Sequence, residues 1–406
     1  MRAIPALDHC EKESHSTMTT VLPGRANPAR RPVRRGLLLA AVAVCTVTIG
    51  AGSGAVQAEP RPERDQHIYV TSVGFDQLVG ITVRPGAAPR LAGPPTAVPS
   101  GGLFKNAAVS PDGKYLYVGP FLDQGLAAFA INDDGTLTAL PGSPVPSSGP
   151  VGTVVVAPDG KHLYVSSSED ARGVVTSFSI GPGGLPVRES VAQLEFSSHF
   201  GTMIIAPDGR NLYVAAGLGN ELLRLPIGAD GLAGAPVQRI PADGSPLNPA
   251  ITPDGKHLYV ANELNAVVSG YDIAPDGALS PMAGSPFATG GGPHGVTITP
   301  DGSRLYTPDI AANAITGFRI APDGRLTPLP GSPFSGGTDP TAMPGQLLAS
   351  RDGQRLYAVG VGTVAIPPSA RLLTFDIAPD GSLRQSEAPL DTGQNFVDGP
   401  ASVITP

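Results

Sequence analysis

His294 departs from the pattern of a repeated sequence. It lies seven residues before a turn aspartate that recurs in the repeats, and most repeats have a small or apolar residue at that position. Lys105 is the other polar exception, and the remaining copies carry Gly152, Gly201, Leu247, Gly345 and, at the equivalent place near the end, Pro400. Glu263 lies in the copy that precedes His294. A carboxylate beside an imidazole can move a proton or orient a water molecule. The pair therefore predicts acid–base chemistry, and the alternative is a surface charge pair without chemistry.

The elements that position these side chains follow from a regular spacing of tyrosines. Tyrosines recur every 46 to 51 residues, six of them in text of the form DGxxLY and the first in the degenerate text DQHIY, at Tyr69, Tyr117, Tyr164, Tyr213, Tyr259, Tyr306 and Tyr357. A period of 40 to 50 residues made of short strands and Gly/Pro turns is typical of propeller blades. We expect an all-β, seven-bladed β-propeller of four-stranded blades.

Residues 293–334 show how one blade is built. GVTIT is the inner strand, TPDG a hairpin turn, SRLYTPD the second strand, ITGFRI the third, APDG a second turn and RLTPLP the outer strand. GSPF is then expected to lead inward to the next blade. The Asp-Gly turns are interpreted as hairpin closures, because no stretch has the alternating acidic spacing of a calcium loop.

The two ends of the chain complement each other. The sequence ends in GPASVITP, which matches the inner-strand text GPHGVTITP but lacks a hairpin partner, and DQHIYVTS near residue 65 is a second strand without an inner partner. We expect the C-terminal strand to pair with the N-terminal one and close the ring, because closure removes open strand edges.

Further binding candidates come from segments that should meet at the mouth of the central channel. These are the connections into the inner strands and the loops between second and third strands, and the candidates are Lys105, Asn248, Asp309, His199 and Arg172. Lys105 or Asn248 could polarise a carbonyl oxygen. By contrast, His67, His162 and His257 precede the LYV strands and are expected to be exposed hairpin residues.

The first 58 residues are typical of an export signal. Arginines at 30, 31, 34 and 35 precede an apolar run, and AVQA ending at Ala58 supplies small residues for cleavage. VRRGLLLA resembles a bacterial twin-arginine signal. We expect residues 1–58 to be removed, residues 59–406 to form the propeller, and the chain to be secreted as a monomer with no stable membrane span. An uncleaved anchor and a start at Met18 remain alternatives.

Composition excludes several kinds of partner and cofactor. The whole chain carries a net charge of −7, and the part after residue 58 is more acidic still, so nucleic acid is a poor partner. Cys10 and Cys45 both lie in the presumed signal, which leaves no thiol for catalysis or metal binding. The sequence has no phosphate loop, HExxH or GxSxG motif. No cofactor and no metal are expected.

Two segments carry a family resemblance. TPDGKHLYVANELNAVVSGYDI (252–273) and GGPHGVTITPDGSRLYTPD (291–309) resemble the seven-bladed lactonase family, which includes 6-phosphogluconolactonases and carboxymuconate lactonising enzymes and overlaps YVTN-type and WD40-like propellers. The resemblance implies lactone hydrolysis, with Glu263 and His294 lining the site and Asp309 adjoining it.

The chain departs from the family pattern in two places. The family has Pro-Arg-His where this chain has Pro246-Leu247-Asn248, and its site histidine lies in the preceding blade, where this chain has Gly201. A phosphorylated lactone would need an arginine, for which only Lys105 or Arg172 could substitute. Two hypotheses remain: a secreted lactonase-like hydrolase, and a non-catalytic propeller whose rim binds a protein or cell-envelope partner.

Overall fold

The computed structural model divides the chain into two units, Met1–Pro60 and Arg61–Pro406. It describes residues 65–71, 76–98, 105–120, 125–169, 172–194, 201–339, 342–362, 370–394 and 402–406, all of them in the second unit. The expected export signal lies outside the described residues.

Within these residues the chain forms seven antiparallel sheets, as the tyrosine spacing predicts, so the seven-bladed propeller is confirmed. The inner strands of blades one to seven are Ser402–Ile404, Lys105–Val109, Val151–Val156, Thr202–Ile205, Pro246–Ile251, Thr297–Ile298 and Ala342–Ala349. The second strands are Gln66–Thr71, Tyr115–Pro120, His162–Glu169, Asn211–Ala216, His257–Asn262, Arg304–Asp309 and Arg355–Gly362. The third strands are Gln77–Val83, Gly125–Ile131, Arg172–Ile180, Glu221–Pro226, Val267–Ile273, Ala314–Ile320 and Arg371–Ile377.

The outer strands are continuous in two blades and divided in five. Blades three and four have Pro186–Gln193 and Gln238–Pro241. The divided outer strands are Arg90–Leu91 with Thr96–Ala97, Leu137–Ala139 with Val145–Pro146, Leu279–Pro281 with Phe287–Ala288, Leu326–Pro328 with Phe334–Ser335, and Leu383–Gln385 with Leu390–Asp391. The GSPF text precedes the next inner strand, as expected, but part of it still belongs to the outer strand. Phe334 pairs with Ile315 of the third strand and extends the outer strand.

Blade one is closed by the two ends of the chain, as the sequence predicts. The C-terminal strand pairs antiparallel with the N-terminal one, with Tyr69 opposite Val403. The Thr405 hydroxyl accepts a hydrogen bond from the His67 amide at 2.8 Å, and the Thr405 amide donates to the His67 carbonyl at 2.9 Å. The last residues of the chain thus replace a hairpin that the other blades form locally.

The repeated tyrosines join each blade to the next. All seven side chains are fully buried. In six of them the hydroxyl donates to the carbonyl of the outer-hairpin glycine in the following blade, as Tyr213 does to Gly277 at 2.8 Å. A buried hydroxyl needs such a partner. The spacing that reveals the blades in sequence is therefore the spacing of an inter-blade bond.

The residues before the LYV strands are also less exposed than predicted. His67 is only 5% exposed, and the His162 and His257 side chains are 19% and 12% exposed. Each covers an outer-hairpin glycine of the next blade: a Cβ added at Gly135 would lie 2.3 Å from the His67 ring. The turn aspartates behave as predicted. Asp159, for example, accepts the Lys161 amide at 2.8 Å and so closes its hairpin.

Candidate active site

Glu263 begins a short turn at the end of the second strand of blade five. The strand His257–Asn262 is followed by a 3-10 turn, Glu263–Asn265, which ends at Ala266 in the left-handed conformation with φ of +53°. The Glu263 amide donates to the Ser245 carbonyl at 3.4 Å. This turn carries the carboxylate around the end of the blade towards blade six.

His294 lies in the connection that enters blade six, and its backbone is held on both sides. The His294 amide donates to the Pro308 carbonyl at 2.9 Å, and the Asn248 side-chain amide donates to the His294 carbonyl at 3.1 Å. Gly295 follows with φ of +136°, where a Cβ would come within 2.9 Å of the Asn248 Cβ. Only glycine allows this close approach between blades five and six.

These two connections bring the predicted pair into contact. His294 Nδ1 lies 3.2 Å from Glu263 Oε1. The imidazole is 12% exposed and the carboxylate 35% exposed, so one is nearly enclosed while the other still meets solvent. Neighbouring blades bring them together because the second-to-third-strand loop of one blade and the inward connection of the next lie at the same end of the propeller.

His294 also lines a cleft of about 150 Å³ in the inner-strand layer. Other residues lining it are Thr153, Thr202, Met203, Asn248 and Gln346, which come from blades three, four, five and seven. Most are uncharged polar side chains. The cleft can hold a small molecule only in part, and Glu263 is not among its lining residues but contacts His294, which is.

The polar lining belongs to a circuit of inter-blade hydrogen bonds that the sequence analysis missed. Thr153 Oγ1 donates to the Gly201 carbonyl at 3.1 Å, the Asn248 amide donates to Thr202 Oγ1 at 2.7 Å, and Gln346 Nε2 donates to the Ser402 carbonyl at 2.9 Å. The sequence does show these polar residues, one position after the one that His294 occupies in its repeat. Six residues before the turn aspartates the sequence has Asn106, Thr153, Thr202, Asn248, Gly295 and Gln346.

Asn248 therefore has a structural role as well as a place in the lining. Its backbone amide and its side-chain amide both make inter-blade bonds, and its φ of +44° places it at an irregularity in the inner strand of blade five. One of the two hydrogens of its side-chain amide is already committed to the His294 carbonyl. The structure thus favours Asn248 as a residue that positions His294.

Asp309 ends the second strand of blade six and has no exposed surface, so it does not face the mouth as a loop residue would. Its Oδ2 accepts hydrogen bonds from the Thr316 hydroxyl and from the Gly290 amide, the latter at 3.1 Å. Burial raises the pKa of Asp309 to about 6, although the bonds from Thr316 and Gly290 oppose the shift. Asp309 thereby fastens the Gly-rich segment before His294 to the blade.

The remaining candidates are not brought to the pair. Arg172 is exposed and begins the third strand of blade three, paired with Glu169 across the hairpin. Lys105 begins the inner strand of blade two, and its side chain is outside what the structure describes. His199 is also outside the described residues. Over the same described part of the chain, no three His, Cys, Asp or Glu side chains converge as metal ligands.

Comparison with known proteins agrees with the fold and with the resemblance seen in the sequence. Residues 246–360 match the family described as "Lactonase, 7-bladed beta-propeller", a segment that includes Glu263, His294 and Asp309. The predicted resemblance to the lactonase propellers is thus confirmed over that segment. A search of curated proteins finds no relative.

Solved structures extend the similarity over most of the chain. A provisional 6-phosphogluconolactonase from Bacteroides uniformis has a TM-score of 0.68 at 16% identity, covering 84% of this chain and 100% of its own. The periplasmic gluconolactonase of Pseudomonas aeruginosa has a TM-score of 0.68 at 15% identity, with coverage of 84% and 99%. A hypothetical selenium-binding protein from Sulfolobus tokodaii has a TM-score of 0.64 at 11% identity, with coverage of 86% and 94%. At such identities the likeness shows the fold alone.

No helix among the described residues is long and apolar enough to cross a membrane.

Proposed function

We propose that this chain is a lactonase-like hydrolase that opens a small lactone at the channel mouth, and that it acts outside the cytoplasm after export. The observation that carries the proposal is the contact between His294 Nδ1 and Glu263 Oε1 at 3.2 Å beside a cleft. The family match over residues 246–360 includes both residues and supports the reaction class.

The geometry supports a water-activating pair. If the neutral ring of His294 carries its proton on Nδ1 and donates a hydrogen bond to Glu263, the ring lone pair is on Nε2, which can take a proton from water. Hydroxide then adds to the lactone carbonyl carbon and gives a tetrahedral intermediate. The ring C–O bond breaks, the imidazolium returns its proton to the leaving alkoxide, and a hydroxy acid is formed. Glu263 stabilises the positive ring between these steps.

Asn248 positions the imidazole in this scheme, because its side-chain amide holds the His294 carbonyl. Stabilisation of the intermediate's oxyanion would then come from another donor. Lys105 stays the sequence-based candidate for that role, since it begins the inner strand of blade two on the same channel.

The test compares hydrolysis by the wild type with that by Glu263→Ala and His294→Ala on a panel of five- and six-membered lactones, corrected for spontaneous opening. General acid–base catalysis contributes about 10²–10⁴-fold, so each variant should lose about 100-fold or more in kcat. Leu264→Ala is a matched control, because Leu264 follows Glu263 but is 78% exposed. Absence of wild-type hydrolysis, or hydrolysis indifferent to both changes, would remove the proposal.

The second candidate is a non-catalytic propeller that binds a protein or cell-envelope partner through its rim. It is favoured by two exposed leucines, Leu218 at 61% and Leu264 at 78%, on the second-to-third-strand loops of neighbouring blades four and five. Contiguous exposed apolar patches mark interaction sites, and these two leucines supply apolar surface on the loops of neighbouring blades. Substituting both with serine should then abolish partner binding while lactone opening is unaffected.

Export rests on residues 1–58, with their arginine pairs, apolar run and small residues before Ala58. Fractionation of a bacterial culture that expresses the full chain tests it. Recovery of only uncleaved chain from the cytoplasm would contradict this part of the proposal.

A further inference from the structure

The mouth of the propeller is the end at which second strands join third strands and outer strands lead into the next inner strand. The connections at this end can be read between the strand bounds, and their described residues include no lysine or arginine, whereas Lys105 begins the strand that follows one of them. The described residues of these connections do contain carboxylates, at Asp76, Asp243, Glu263 and Asp339. The described connections at the end that carries the candidate active site are therefore acidic.

The opposite end has a different charge pattern. The hairpins between inner and second strands carry basic residues beside their turn aspartates, at Lys114, Lys161, Arg210, Lys256 and Arg351. Among the described connections, basic residues thus occur at one end only, so the acidic connections at the mouth do not simply follow from an acidic composition.

Two arginines on the strands near the mouth are already paired with carboxylates. Arg239 Nη1 lies 3.0 Å from Glu221 Oε1, while Arg371 contacts Asp339 at 3.6 Å and Asp391 at 3.8 Å. Arg172 lies in blade three, opposite Glu169, whereas Glu263 lies in blade five. No arginine of the described residues forms part of the cleft lining beside His294.

We propose, on the premise of the function above, that the site takes an uncharged lactone and rejects lactones that carry phosphate or carboxylate. Anions are bound in proteins by arginine forks, lysines or clusters of amides, and like charges at a mouth slow the approach of a ligand. The described lining of uncharged polar groups and one histidine fits a ligand that has hydroxyls and a carbonyl but no charge.

The same charge pattern favours release of the product. Water adds to the carbonyl carbon, the ring C–O bond breaks, and the neutral lactone becomes a hydroxy acid, which loses its proton to solvent near neutral pH. The carboxylate product is then repelled by the acidic mouth that admitted the neutral substrate. Product release is favoured and product inhibition is weak.

The experiment compares kcat/KM for D-glucono-1,5-lactone and for 6-phospho-D-glucono-1,5-lactone at low and high ionic strength, using the exported chain. We expect the uncharged lactone to be preferred about tenfold or more at low salt. The preference should narrow as salt screens the mouth. Preference for the phosphorylated lactone, or equal rates at both salt concentrations, would overturn the inference and leave the hydrolase proposal standing. Hydrolysis of neither lactone would overturn both.

A matched pair of variants tests whether the charge of the mouth causes the preference for the uncharged lactone. Leu264 is exposed and adjoins Glu263, so Leu264→Lys places a positive charge at the mouth, and Leu264→Gln is its uncharged control. Leu264→Lys should raise kcat/KM several-fold for the phosphorylated lactone and leave that for the uncharged lactone unchanged, while the glutamine variant changes neither. An equal effect of both substitutions would show that charge is not the determinant.

Discussion

Asp309 shows how much a single position can change between blades of one repeat. Blade five has Asn262 at the equivalent place, and its side-chain amide donates to the Ser269 hydroxyl at 2.8 Å. Blade six has a carboxylate with no exposed surface, held by the Thr316 hydroxyl and the Gly290 amide. Burial of a carboxylate favours its protonated form. We therefore expect the bonds between Asp309 and the segment before His294 to depend on pH.

Replacing Asp309 with Asn should remove a pH-dependent part of the stability. Burial raises the pKa of Asp309 to about 6 in the folded chain, whereas an unfolded Asp titrates near 4. Between about pH 4 and pH 6 the folded chain thus keeps a proton that the unfolded chain loses. The stability associated with this proton is fully present below about pH 4 and is lost as the pH rises to about 6, by about 2–3 kcal/mol.

Urea unfolding of the wild type and of Asp309→Asn at pH 4.5 and pH 7 measures this effect. Relative to the wild type, the variant should have a larger free energy of unfolding at pH 7 than it has at pH 4.5. A difference that stays constant with pH would show that Asp309 does not titrate in this range. The substitution is mild, because it gives blade six the residue type that blade five already has.

The turn that carries Glu263 can be compared with the same turn in the neighbouring blades. Blades four and six place Asn220 and Asn313 in the left-handed conformation, with φ of +50° and +48°, whereas blade five has Ala266 at +53°. Asn tolerates this conformation better than Ala, because its short polar side chain can bond locally. The loop that presents the candidate carboxylate is therefore the strained one among the three.

Ala266→Asn should accordingly stabilise the chain, by about 0.5–1 kcal/mol. The matched control is Asn313→Ala, which introduces the same strain in blade six and should destabilise by a similar amount. Both are measured by thermal unfolding. If both substitutions raise the Tm, or both lower it, then the backbone conformation of the turn does not determine stability there.

At the level of elements, the sequence predicted what depends on the order of residues within one blade. Strand order, hairpin turns and the loop that carries Glu263 all follow from local text that is repeated. Contacts between blades were predicted less well. The burial of His67 and the inter-blade bonds of Asn248 depend on how one blade packs against the next, and no single copy of the repeat contains both partners. Convergence of Glu263 and His294 could be predicted because adjacent blades must meet at the mouth.

The whole molecule depends on a circuit of contacts that ends in blade one. Tyrosine hydroxyls join the blades at the outer hairpins, and the bonds of Thr153, Asn248 and Gln346 join them around the channel. The last of these reaches Ser402, in the C-terminal strand, and Gln346 Oε1 also accepts the Ser402 amide at 2.9 Å. Closure by the C-terminal strand therefore holds blade seven to blade one as well as completing blade one.

Deleting residues 401–406 should therefore cost on the order of 5 kcal/mol, because it exposes an edge of the second strand of blade one and breaks the circuit at Gln346. The expected fall in Tm is about 10 °C. A permuted chain gives the control: residues 402–406 are moved ahead of Gln66 and joined to it by Asp-Gly, the turn that the other blades use. If the strand matters only through its contacts, the permuted chain should regain most of the lost Tm. An undiminished Tm after deletion would show instead that the ring does not need its C-terminal strand.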